Sequence, residues 1–173
     1  MQRRGGMWEI QNVVSGLVEL IIRCHPQGFR LLLGEVEKPT SQEIHEMLNS
    51  IQDKLPEDYK STMRNLTTES ERIVFDQEYF DHLIELAGGW AHIHFVSKEF
   101  RESDSRMWNV VMDHVKFVGN ATSRHMSKLG YISVRYGLSP NTVMKYRRKF
   151  PEKLARMLLM PTGEGDDFYL LPG

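Results

Sequence analysis

Through most of the chain, apolar residues recur three and four positions apart, and that spacing predicts helices. Residues 8–23 carry Ile10, Val13, Val14, Leu17, Leu20 and Ile21 in this register, until His25-Pro26-Gln27-Gly28 ends the element by turn chemistry. Phe29 to Leu33 is an apolar run too short for periodicity to assign, and residues 34–39 read as a loop. Thr40 with Glu43 has the spacing of a capping box, which predicts a helix over about 41–54 with Ile44, Met47, Leu48 and Ile51 inward. Pro56 opens a short helical piece toward Leu66, and 67–71 is a polar connection. Residues 75–86 form another amphipathic helix, with Phe75, Tyr79, Leu83 and Leu86 along one stripe, and Gly88-Gly89 stops it. Nothing in residues 1–70 names a chemistry, so this part is read as helical scaffold or partner surface.

The pattern then changes. Trp90 to Phe95 (WAHIHF) alternates, placing Trp90, His92 and His94 on one face and Ala91, Ile93 and Phe95 on the other if it is extended. It is the one short β-strand expected in the chain. A lone strand needs a partner strand, and the only internal mate is the run Phe29 to Leu33. A second copy of the segment is the better partner, with Trp90, Ile93 and Phe95 as the dimerisation residues and Ile93 near the two-fold axis. A long helix follows from Ser97 to about Phe117, with Met107, Val110, Val111, His114 and Val115 inward, before Gly119-Asn120 breaks it.

Residues 129–148 (LGYISVRYGLSPNTVMKYRR) fall into helix-turn-helix register without a gap. Ser133 supplies the small residue where the second helix crosses the first, and Gly137 supplies the turn. Ile132, Tyr136, Leu138, Val143 and Tyr146 occupy the five packing positions. Ser139 is the expected N-cap of the second helix and Pro140 its first residue. The outward face then holds Pro140, Asn141, Met144, Lys145 and Arg148, a set able to meet phosphates and base edges in a major groove, and Ser139 and Thr142 are expected among the DNA-binding residues with them. Asn141, Lys145 and Arg148 are expected on base edges, and Arg135, Arg147 and Lys149 on phosphates. A last short helix is expected to begin at Pro151.

Charge sharpens this picture. The net charge of −1 conceals nine Lys and Arg against one acid between residues 121 and 157, while residues 1–120 carry thirteen basic and nineteen acidic side chains. The basic excess coincides with the helix-turn-helix, where an electrostatic footprint on phosphate is wanted. No apolar run approaches the roughly 20 residues that cross a bilayer, and no secretory pattern follows the two arginines at the start. The single cysteine, Cys24, excludes an internal disulfide framework and fits a reducing cytoplasm. His82, His92 and His94 could approach one another, yet no Cys, Asp or Glu completes a metal-ligand spacing. With no phosphate-binding glycine loop, nucleophile elbow or zinc-helix motif, no catalytic residue, metal or cofactor is assigned.

The order of helix, Gly-Gly, short strand, connecting helix, glycine break and RYGLSPNTVMKYRR resembles the Mor/C transcription activators of Mu-like phages. Leu86-Ala87-Gly88-Gly89, Ile93, Trp108-Asn109, Arg135-Tyr136-Gly137 and Asn141-Thr142-Val143 carry the resemblance, which covers roughly residues 75–150. The connecting segment looks about a dozen residues longer than in that family, and His94 stands where a proline is usual. The resemblance implies a homodimer whose strands pair and whose two helix-turn-helix units face successive major grooves, with RNA polymerase as a further partner of an activator.

The sequence therefore reads as mainly α, with a helical N-terminal region, one short β-strand and a C-terminal helix-turn-helix domain. Residues 1–88 form a scaffold or dimerisation region, 89–119 the strand and connecting helix, 120–160 the DNA-binding domain and 161–173 a tail. The expected function is sequence-specific binding of double-stranded DNA in transcription regulation, in the cytoplasm and away from membranes. A DNA-binding adaptor of a phage or mobile element, such as a small terminase subunit or recombinase accessory factor, would use the same helix-turn-helix. A protein-interaction scaffold with an acidic partner is the third reading.

Overall fold

The computed structural model describes residues 2–116 and 128–160, and these are almost entirely helical. The helices are α1 (Gln2–Cys24), α2 (Gly28–Leu32), α3 (Ser41–Ser50), α4 (Glu57–Asn65), α5 (Glu69–Leu86), α6 (Trp90–Ser103), α7 (Ser105–Lys116), α8 (Lys128–Tyr136) and α9 (Pro140–Leu159). The expected break at Gly119-Asn120 and the tail 161–173 lie outside the described residues.

No strand occurs among the described residues, and Trp90 to Phe95 is the first part of α6. The correction has a packing reason. As a helix, this stretch turns Ile93, Val96, Ser97 and Phe100 inward at spacings of three, four and seven, and all four are buried. As a strand it would have left two edges unpaired. Gly88 and Gly89 set up the change: both take positive φ, at 105° and 92°, and the Gly89 N–H closes onto the Ile84 carbonyl at 2.9 Å, so α5 ends and the chain re-enters a helix at once. The three residues expected to pair two protomers have other surroundings. Ile93 is 1% exposed inside its own fold, Trp90 packs on Phe80 with ring centroids 6.2 Å apart, and Phe95 points to solvent.

Four further stretches refine or change the expectation. Phe29 to Leu33, unassignable by period, lies largely within α2, whose Phe29, Leu31 and Leu32 are buried. The helix expected over 41–54 ends at Ser50 and continues as a 3-10 turn, Gln52–Lys54, while Thr40 and Glu43 form the capping box in both directions. The long helix expected after Ser97 is split at Asp104, whose carboxylate accepts from the Met107 N–H at 3.2 Å and from Lys153 Nζ at 2.8 Å. Thr68 and Glu71, in the stretch read as polar connection, form a second capping box that starts α5.

The main core gathers side chains from α1, α2, α3, α5, α6, α7 and α9. Its centre is aromatic: Phe29, Phe100, Trp108 and Phe150 meet with ring centroids 5.0–5.9 Å apart, tying α2, α6, α7 and α9 together. Below it, α3, α4 and α5 are joined by a buried polar network. His45 Nδ1 lies 2.6 Å from Asp76 Oδ2, and the Tyr59 hydroxyl donates to Asp76 Oδ1. Asp76 is fully buried, and burial pushes its carboxyl above the ordinary range against the opposing effect of those two bonds.

Pro151 does not start a new helix. It lies inside α9, whose later turns bury Phe150, Leu154, Ala155 and Leu158 in the main core, chiefly against α1. One 20-residue helix, about 30 Å long, thus belongs to the helix-turn-helix at its start and to the central core at its end.

Candidate nucleic-acid interface

The turn between α8 and α9 is built as the residues suggest. Gly137 has φ +66°, its N–H bonds the Val134 carbonyl at 3.3 Å, and the Leu138 N–H reaches back to Ser133 at 3.0 Å. These two bonds make a Schellman motif, which needs the left-handed residue that glycine supplies without strain. Ser133 is nearly buried, and its hydroxyl donates to the Leu138 carbonyl, so the small residue both allows the close crossing and satisfies a turn acceptor. Ser139 caps α9 by accepting from the Thr142 N–H at 3.2 Å, with Pro140 at the first position.

Ile132 and Val143 are fully buried and meet Val110 of α7, with Leu129, Tyr131, Tyr136, Leu138 and Tyr146 partly buried around them. This small second cluster is separate from the main core, and α7 supplies its floor. The same helix supplies polar supports. Asp113 accepts the Tyr136 hydroxyl and lies 3.4 Å from Arg135, while Arg106 Nη2 donates to the Tyr136 carbonyl at 3.0 Å, covering the end of α8. Burial and Asp113 together push the Tyr136 hydroxyl up to about 12, so it stays protonated and a donor. Arg106, Asn109/Val110 and Asp113 fall at three-, four- and seven-residue spacing on one face of α7, a signal the sequence contains.

With the inner face fixed in this way, the outer face of α9 is open. Pro140, Asn141, Lys145, Arg148 and Lys149 are exposed, with Thr142 and Met144 half-buried beside them. Asn141, Lys145 and Arg148 stand at spacings of four and seven, hence on one face. Lys145, Arg148 and Lys149 have no acid within ion-pair distance among the described residues. The positive end of the α9 dipole adds to the same surface.

Two cations named from the sequence are placed otherwise. Arg135 is exposed but held toward Asp113 and lies over the Tyr136 ring at 5.5 Å. Arg147 turns inward: its guanidinium makes a two-pronged contact with Glu19 of α1 at 2.8 and 2.7 Å, and its side chain is only 17% exposed. Around this pair sit Lys128 of α8 and His114 of α7. Burial first, then Lys128 and Arg147, hold the His114 imidazole below its ordinary value, so it is neutral near pH 7. Glu19 stands inside an otherwise apolar run, a sequence signal that it answers a cation elsewhere in the fold.

The three histidines weighed for a metal do not come together. His82 is exposed, His92 Nε2 lies 2.8 Å from the Leu158 carbonyl, and His94 is against Gly34. No cluster of three His, Cys, Asp or Glu able to hold a metal exists among the described residues. No helix among them is long and apolar enough to cross a membrane. No family model, no curated protein and no solved structure matches this chain.

Proposed function

We propose that this protein is a sequence-specific DNA-binding regulator of transcription that sets the N-terminal half of α9 into a major groove of double-stranded DNA. One observation carries the reading. The α9 face bearing Asn141, Lys145, Arg148 and Lys149 is exposed and its cations have no acidic partner among the described residues, while the opposite face is anchored on α8 and α7. A basic helix whose role was only to solvate a surface would need neither the capped turn nor the second cluster. Asn141 suits an adenine edge, Lys145 and Arg148 suit guanine, and Lys149 suits phosphate. The resemblance to the Mor/C activators points the same way through Arg135-Tyr136-Gly137 and Asn141-Thr142-Val143, and RNA polymerase as a partner rests on that resemblance alone. The strand expected to pair two copies has no counterpart among the described residues, so a dimer would have to form by another surface.

Selection of bound sequences from a random duplex pool tests the proposal. A recovered consensus supports it, and its symmetry reads the number of copies on DNA. On the recovered site, Asn141→Ala should relax one base position at a loss of about 1–3 kcal/mol, while Lys149→Ala should weaken all sequences alike. Failure to retain any duplex at low salt would overturn the reading and favour an acidic protein partner.

A further inference from the structure

An apolar groove of about 380 Å³ runs between α1, α3 and α5. Its walls are mostly apolar: Val13, Leu17 and Leu20 from α1, Leu48 from α3, and Leu83 from α5, with Tyr79 of α5 and Asn12 of α1 as the uncharged polar side chains among them. Val13 remains 40% exposed there. The volume lies within the roughly 300–1,000 Å³ of small-molecule sites.

Gly16 lies on the α1 wall of this groove. A glycine inside a helix is a poor choice for stability, and here packing does not demand it: a Cβ at Gly16 would meet nothing within 4 Å. Its effect is to keep the groove open.

One end of the groove is cationic. Arg23 is half-exposed, and its acidic neighbour Glu19 stands 4.0 Å away with both oxygens already held by Arg147. Lys54 is exposed, with no acid within ion-pair distance among the described residues. Beyond these two cations the groove passes into a polar recess bordered by Cys24, Ser50 and Asp53. With Arg147 offsetting Glu19, Asp53 is the one acid left against the two cations, so the mouth favours an anion.

We infer that this groove is a binding site for a single-chain amphiphile with a carboxylate head, a medium-chain fatty acid, its tail between α1, α3 and α5 and its head on Arg23 and Lys54. A mostly apolar slot bordered by two cations matches that ligand class in both parts. The inference stands apart from DNA binding, and its readout involves no DNA.

Calorimetric titration of the full chain with decanoate and with 1-decanol tests it. The wild type should bind one decanoate saturably. Gly16→Leu fills the groove and should weaken decanoate at least tenfold without lowering the melting temperature. The double variant Arg23→Gln/Lys54→Gln should weaken decanoate at least tenfold and 1-decanol less than twofold. The inference fails if wild type shows no saturable binding, if Gly16→Leu binds as wild type does, or if the double variant loses both ligands equally. It also fails if light scattering finds a ligand-free dimer that Gly16→Leu abolishes, because the groove would then hold a second copy.

Discussion

Replacing Arg147 by alanine separates two roles that a basic residue on this helix can have. A phosphate contact would lower DNA affinity and reduce its dependence on salt by about 0.9 of a unit in the log–log slope. An internal ion pair would lower stability instead. The structure places Arg147 in the second role, with two charge-assisted bonds to Glu19 at 2.7 and 2.8 Å. Fully exposed pairs are worth about 0–1 kcal/mol, and breaking a fully buried one costs about 3–5 kcal/mol. At 17% and 33% side-chain exposure this pair lies between those limits. After discounting for solvent screening on Glu19, a coupling of about 1–2 kcal/mol is expected. At about 2–4 °C per kcal/mol for a chain of this size, the melting temperature should fall by about 2–8 °C. The assay is a double-mutant cycle in urea with Arg147→Ala, Glu19→Ala and both, followed by salt titration of DNA binding for Arg147→Ala beside Lys149→Ala. A coupling below about 0.5 kcal/mol would refute the assignment, being less than the pair's partial burial supports. So would an Arg147→Ala salt slope flattened as much as that of Lys149→Ala.

Other outcomes can be checked with the same preparations. Gly137→Val forces a β-branched residue to φ +66° and should cost about 1–3 kcal/mol in urea denaturation; an unchanged midpoint would mean the turn relaxes to another geometry. Asp76→Ala strips Tyr59 and His45 of their buried partner and should cost about 2–4 kcal/mol, whereas Asp76→Asn, which keeps the shape, should cost less. The depressed His114 imidazole makes stability complete above the unfolded value near 6.5 and erodes it as pH falls below that value, because the unfolded chain takes up the proton first. Melting temperatures recorded from pH 7.5 to 5 should therefore decline below 6.5, and His114→Gln should make that decline shallower; equal slopes would remove His114 from the account.

What the sequence determined by itself were the features written in short-range spacing. The helical period of 10–21, the Thr40–Glu43 capping box, and the Ser133, Gly137, Ser139 and Pro140 register all depend on residues within a few positions of one another. Hydrogen bonds and dihedral preferences at that range act in nearly any fold. The tertiary structure decided what local signals leave degenerate. Trp90 to Phe95 alternates like a strand and also fits the start of a helical stripe through Ile93, Val96 and Phe100. The choice fell to the helix because α6 could bury that stripe against the main core, while the described residues hold no strand to pair with an extended segment. Pro151 is a helix breaker by local rule, yet Phe150, Leu154 and Leu158 hold α9 together across it by packing on α1. The fate of Arg147 depended on Glu19, 128 residues earlier in the chain. No spacing rule links two residues that far apart; only the packing of α9 against α1 brings them within reach, and so sets Arg147, like Lys153 on Asp104, to holding the fold, while Lys145, Arg148 and Lys149 are left open to a partner.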